Sequence, residues 1–247
     1  MFAQVPVELR RQVNGEETEA GFRFVGWELF KAVQRSLAVD QTLLKAERIL
    51  DFGAGLGRLS LPLLQGASQA EVTLFEQNPS FLGWAQKLLN DPRAHFTSQT
   101  ETLKSRSFEL IIAITFFTHV DQTRDYWLSE IERLMTEDGV AFLSYQDEKL
   151  FKELKGKGAL PTAAECPEKY VDGEGGSEND NRVNVFYRSV QWKSLLSRYF
   201  DVTVINPRAL FGHQSISVIR RRKDRVFDRA QLRRDYESHL ANALSAR

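Results

Sequence analysis

The sequence predicts an α/β fold, a doubly wound and mostly parallel sheet with helices on both faces. Short apolar runs alternate with helix-length amphipathic segments along the whole chain, the signature of strands laid in parallel beneath covering helices. The 247 residues, 42% hydrophobic and 27% charged, are ordinary globular composition and enough chain for one such domain with elaborations.

The elements follow in order. Residues 1–40 read as an N-terminal cap segment and helix, with the helix over Gly26 to Leu37. Residues 41–222 read as the main domain. Its strand candidates are Arg48 to Phe52, Glu71 to Glu76, Ala94 to Ser98, Phe108 to Thr115, Val140 to Ser144, Asp201 to Asn206 and Gln214 to Arg220. Between them, Arg58 to Gln65, Ser80 to Leu89, Thr123 to Met135 and Val190 to Tyr199 carry apolar residues at helical spacing, and Asn78-Pro79 marks a helix start. The stretch at about 152–182 is rich in Gly, Pro and acids. It reads as a loop insertion, either a lid or a passive excursion. Residues 223–247 read as a basic C-terminal helix. From Arg220 onward nine Lys or Arg face four acids; a solvated helix face, with Arg233 and Glu237 paired at i,i+4, is weighed against a site for an anionic partner.

Charge and cysteine content narrow the class. Lys plus Arg and Asp plus Glu are 33 each, so no global field draws the protein to nucleic acid. The single cysteine, Cys166, makes neither an internal disulfide nor a thiolate metal cage, which fits a reducing compartment. No run reaches the roughly 18 apolar residues of a membrane span, and the N-terminus lacks a signal-peptide core. The chain reads as soluble and cytoplasmic.

The chemistry concentrates in Ile49-Leu50-Asp51-Phe52-Gly53-Ala54-Gly55-Leu56-Gly57-Arg58, a buried strand running through glycines into a helix. Glycines there permit positive φ and close approach to a ligand, and the unpaired N–H groups of a helix start favour an anionic group. A nucleotide-like cofactor is implied, with a tight structural turn as the alternative. Glu76 stands at the end of the next strand, where a carboxylate accepts two hydrogen bonds from a ribose diol. The glycine spacing is G-x-G-x-G, with Arg58 where the dinucleotide fingerprint needs glycine.

On these residues the sequence resembles the class I S-adenosylmethionine-dependent methyltransferases. Leu50 to Arg58 is similar to their first motif, Phe75-Glu76-Gln77-Asn78 to the second, and Phe96 to Thr100 occupies the adenine-edge position, with Gln99 where many members carry aspartate. Phe108 to Val120 is similar to the fourth-strand motif ending in a histidine near the substrate, and Trp127 to Val140 to the helix, turn and fifth strand that follow. The resemblance implies seven strands, the last antiparallel, and S-adenosylmethionine as cofactor. It implies cofactor contacts from Asp51, Gly53, Ala54, Gly55, Glu76, Gln77, Gln99, Thr100 and Thr115.

A hydroxyl acceptor must lose its proton, and a neutral imidazole takes it near pH 7. His119 is the candidate catalytic base; its alternative is a capping or packed histidine. His213, before the last strand, is the second choice. The family's amine-methylating members usually carry an Asn/Asp-Pro-Pro-Tyr type motif where this chain reads Thr115-Phe116-Phe117-Thr118, and Asp121 lacks the partner carboxylates of a cation-dependent site. No metal is expected. Phe116, Phe117 and Trp127 read either as lining of an apolar acceptor pocket or as core. The expectation is methyl transfer to a small-molecule acceptor, O-methylation ahead of N- or C-methylation. A noncatalytic S-adenosylmethionine-binding scaffold, a nicotinamide-dependent oxidoreductase and RNA methylation through the basic arm stay open.

Overall fold

Buried aliphatic runs make the central strands, and the turns between them are where polar chemistry collects. In the computed structural model, the described residues are 5–15, 18–38, 42–67, 69–160, 163–173, 183–224 and 227–245. By contacts the chain groups into two units, residues 1–114 with 134–142, and residues 115–133 with 143–247.

In the first unit the strands β1 (Arg48–Phe52), β2 (Glu71–Phe75), β3 (Ala94–Thr97), β4 (Phe108–Ala113) and the start of β5 (Met135–Asp147) lie in the order β3-β2-β1-β4-β5. β1 pairs in parallel with both β2 and β4, and β2 with β3. Ile49, Leu50, Val72, Leu74, Ile111 and Ile112 are fully buried, as continuous apolar strands covered on both faces must be. α5 (Pro79–Leu88) begins where the sequence marks it. The Asn78 side chain caps the Ser80 and Phe81 N–H groups, and proline occupies the first turn.

Ahead of β1 come α1 (Val7–Asn14), α2 (Glu19–Ser36) and α3 (Thr42–Lys45). Thr18 caps α2 by accepting from the Gly21 N–H. α2 seats on the turn after β1 at a glycine. A Cβ on Gly26 would stand 2.3 Å from the Arg58 carbonyl oxygen, and one on Gly66, in α4 (Ser60–Gly66), would stand 2.2 Å from the Phe30 ring.

The second unit is built on aromatics. Trp192 on α8 (Ser189–Ser197) meets Phe117, Tyr145 and Tyr187 at ring separations of 5.5, 5.2 and 4.7 Å. Phe117 and Trp127 are thus core side chains, both essentially fully buried, and not the lining of an acceptor pocket. β9 (Phe200–Leu210) and β10 (Gln214–Arg221) form the antiparallel terminal hairpin that the family resemblance implies.

The segment expected as a loop at about 152–182 is largely regular where it is described. α7 (Glu148–Gly156) is capped by Asp147, and β6 (Ala164–Glu165), β7 (Lys169–Asp172) and β8 (Asn184–Tyr187) follow. β7 runs antiparallel to β6 and β8, and β8 joins the end of β5 in parallel. Leu150, Phe151, Leu160, Tyr170 and Phe186 form its own small core. These strands are two to four residues long, too short for alternation to stand out against the surrounding Gly and acids. The described residues therefore hold ten strands rather than seven, and β5 runs well beyond the expected Val140 to Ser144.

The basic tail docks rather than dangles. Glu132, on α6 (Arg124–Leu134) and 2% exposed, accepts from Arg221 Nε at 2.6 Å and from Arg229 at the start of α9 (Arg229–Ser245). Tyr236 stacks on Tyr126 at 4.1 Å, and Arg233 pairs with Glu237 at 2.8 Å as its spacing predicts. Among the described residues no helix is long and apolar enough to cross a membrane.

Gly26→Ala tests the seating of α2. Alanine is the better helix former by about 1 kcal/mol, yet the clash with a backbone carbonyl is expected to dominate and to cost roughly 1–3 kcal/mol in chemical denaturation. A variant as stable as wild type would show that α2 does not press on the Arg58 backbone.

Candidate functional site

In the first unit the connection leaving β1 turns to one neighbour while β4 lies on the other side, so the carboxyl end of β1 is the switch point where an open α/β sheet leaves a crevice. The glycine turn sits there. Gly53 and Ala54 both donate their N–H groups to the Phe75 carbonyl, at 2.8 and 2.9 Å, which ties the turn to the end of β2. Gly53, Gly55 and Gly57 have φ of +78°, +56° and +75°, conformations that side chains resist. A Cβ at Gly57 would also approach Leu89 to 2.9 Å.

Glu76 closes over this turn from the end of β2. One carboxylate oxygen accepts from the Gly55 N–H at 2.8 Å and the other from the Asn78 N–H at 2.7 Å, with the Gln77 N–H a further donor. Burial raises the Glu76 pKa, opposed by these backbone bonds. Each oxygen keeps lone-pair capacity, so the group can accept from two vicinal hydroxyls. Asp51, 3% exposed, accepts from Ser60 Oγ at 2.6 Å. Burial pushes its pKa up to about 6; the Ser60 bond and the Arg58 charge oppose this, and the negative charge of Glu76 adds to it. Two carboxylates poorly served by solvent make this a place that favours a cationic or hydroxyl-rich ligand.

At the end of β3 the exposed Gln99 is held through its backbone. Its carbonyl accepts from Thr97 Oγ1 and Thr102 Oγ1 at 3.0 and 2.8 Å, and its N–H donates to Thr97 Oγ1 at 3.1 Å. Thr100 is buried at the start of a short 3-10 turn. The structure thus joins Asp51, Gly53, Ala54, Gly55, Glu76 and Gln77 by direct bonds or chain adjacency, and places Gln99 and Thr100 in the same unit.

Thr115 and His119 belong to the second unit. Thr115 has φ +63°, a costly conformation for a β-branched residue that persists only where neighbours enforce it. Its N–H donates to Ser144 Oγ at 2.8 Å, and Ser144 Oγ donates to Gln214 Oε1 at 2.7 Å. His119 Nδ1 lies 2.7 Å from the Val183 carbonyl. A carbonyl only accepts, so in this bond Nδ1 is the donating, protonated nitrogen. His213 sits in the exposed turn between β9 and β10, its N–H donating to the Leu210 carbonyl. Sequence reasoning missed Ser60, Ser144, Gln214 and Val183; Ser60, on the helix face one turn after Gly57, was within reach of spacing.

Residues 50–141 match the family model described as methyltransferase domain. Among solved structures, magnesium protoporphyrin IX methyltransferase from Synechocystis PCC 6803 with bound SAH is 20% identical, with 84% of this chain and 90% of that chain covered and a TM-score of 0.58. The glycopeptide N-methyltransferase MtfA complexed with S-adenosyl-L-methionine is 16% identical, covering 78% and 93%, TM-score 0.57. A Burkholderia thailandensis 1,6-didemethyltoxoflavin N1-methyltransferase is 15% identical, covering 89% and 93%, TM-score 0.51. At these identities the likeness is one of fold.

The buried Asp51 carries a prediction of its own. Its folded pKa, about 6, lies above its ordinary 3.8, so the folded chain takes up this proton first. The group therefore favours folding below about pH 4 and loses that contribution as pH rises through about 6. Asp51→Asn is expected to be more stable than wild type near pH 7, by up to about 3 kcal/mol, with the gain gone near pH 4. Parallel stability profiles for the two proteins would refute a burial penalty at this carboxylate.

Proposed function

We propose that this chain, whose residues 50–141 match the methyltransferase-domain model, is a class I S-adenosylmethionine-dependent methyltransferase that methylates a hydroxyl oxygen of a small-molecule acceptor, with His119 as the proton acceptor. S-adenosylmethionine, when bound, supplies a methyl group on a cationic sulfur. The residues of the first unit fit it. In this reading Glu76 receives the ribose hydroxyls, Gln77, Gln99 and Thr100 border the adenine, and Gly53, Ala54 and Gly55 let the backbone approach. Asp51 places negative charge near the cofactor's cationic portion. The observation that carries the assignment is Glu76, whose two oxygens span the glycine turn and the start of α5.

Oxygen as the methylated atom rests on His119. With Nδ1–H committed to the Val183 carbonyl, Nε2 is the ring nitrogen that would take the proton of the acceptor hydroxyl, and positioning of the acceptor supplies much of the remaining rate. A small-molecule acceptor is supported by the fold neighbours, whose names carry protoporphyrin, glycopeptide and toxoflavin substrates. It is supported also by the tail, where Arg221 and Arg229 turn inward to Glu132 and Arg233 is paired. Arg221 and Arg229 are thereby engaged by Glu132 rather than by an outside polyanion.

Calorimetric titration with S-adenosylmethionine and its demethylated product tests the cofactor site. Wild type is expected to bind both, and Glu76→Ala at least about tenfold more weakly, a loss of about 1.4 kcal/mol. Equal affinities would remove Glu76 from the site, and binding of a nicotinamide cofactor instead would favour an oxidoreductase. Methyl transfer to matched hydroxyl and amine acceptors tests the chemistry. His119→Asn is expected to slow hydroxyl methylation by about 10²–10⁴-fold; an unchanged rate sinks the base assignment, and wild-type protein that binds cofactor but methylates neither class is a scaffold.

A further inference from the structure

We propose that the β6–β8 insertion is the device that sets which nitrogen of His119 is reactive, with Lys169 and Asp121 as its positioning pair. This rests on the reading of His119 as the proton acceptor. Three consecutive residues after the 3-10 turn at Phe116–Thr118 are each held by the insertion or the strand that ends it. His119 Nδ1 bonds the Val183 carbonyl at 2.7 Å, the Val120 carbonyl accepts from Tyr187 OH at 2.8 Å, and Asp121 forms an ion pair with Lys169 Nζ. The first contact comes from the residue that leads into β8, the second from the end of β8 and the third from the start of β7.

The described strands of the insertion are tied together by pairing and packing. Four residue pairs join β7 to β8, from Lys169 opposite Tyr187 to Asp172 opposite Asn184. Phe151 and Tyr170 stack at 3.8 Å beneath them, and the Arg188 guanidinium covers the Tyr170 ring at 4.8 Å. Val183 is itself buried, so its carbonyl is a fixed acceptor rather than a wandering one. A free imidazole prefers its proton on Nε2, which would leave the lone pair on Nδ1. A fixed carbonyl at Nδ1 reverses that preference and points the basic nitrogen the other way.

Lys169 and Asp121 keep the turn in register with that carbonyl. Their side chains are only 21% and 19% exposed, so removing one partner leaves the other poorly solvated. The turn then has reason to shift, and with it the imidazole.

The test reads the tautomer directly. In full-length protein labelled with ¹⁵N-histidine, long-range proton–nitrogen correlation at a pH where imidazole is neutral separates the four histidines, and His119→Asn assigns the one of interest. Wild-type His119 is expected to show a protonated Nδ1 and a pyridine-like Nε2. Lys169→Met is expected to move both signals towards the averaged values of a free imidazole. It should also lower kcat at least about tenfold while leaving cofactor affinity unchanged. Lys169→Arg should restore both. Tyr187→Phe, which deletes one hydroxyl, carries the same expectation for the signals and serves if Lys169→Met does not fold.

Unmoved His119 signals in a folded variant would overturn the proposal, as would an Nε2–H tautomer in wild type. If His119→Asn methylates normally while Lys169→Met still shifts the tautomer, the base reading fails and the hold of the insertion on the imidazole stands.

Discussion

Gly53 and Ala54 converge on a single carbonyl, that of Phe75, and much of the first unit follows from that junction. It requires the chain to leave β1 in a left-handed conformation, which puts glycine at 53 and again at 55 and 57. It brings the end of β2 against the turn, which is why the next residue, Glu76, reaches the Gly55 N–H. It also sets the path of the Arg58 backbone, against which α2 fits only because residue 26 lacks a Cβ. A turn made by backbone geometry alone thereby determines where a carboxylate stands and where the N-terminal helix seats.

Buried carboxylates in this protein divide by what surrounds them. Glu132 lies between two guanidinium groups. It is structural, because two charged donors offset its desolvation. Asp51 and Glu76 are served by a hydroxyl and by backbone N–H groups, and burial remains the largest effect on each. Proteins carry such uncompensated cost mainly where a ligand will relieve it.

The second unit shows a different economy. A strained threonine, Thr115, and a histidine with one nitrogen committed lie four residues apart, and both are held from far along the chain. The terminal hairpin supplies Gln214 for the first through Ser144, and the residue before β8 holds the second. The small sheet added after β5 is thus more than a covering, since its packing fixes the acceptor atom on which the imidazole depends.

Much of this was legible in order along the chain. β1 occupies Arg48–Phe52 as the apolar run marks it, Asn78 and Pro79 open α5, the glycine turn carries positive φ, and Arg233 finds Glu237. Each of these is decided within a few residues, by strand burial, capping or i,i+4 reach, so spacing alone reveals it. The short strands β6, β7 and β8, the inward turn of Arg221 and Arg229, and the protonated nitrogen of His119 were not legible. They depend on partners such as Val183, 64 residues from His119, and Glu132, 97 residues from Arg229. A local pattern records what a residue prefers, whereas which acceptor or carboxylate stands opposite it is settled only when distant segments pack together.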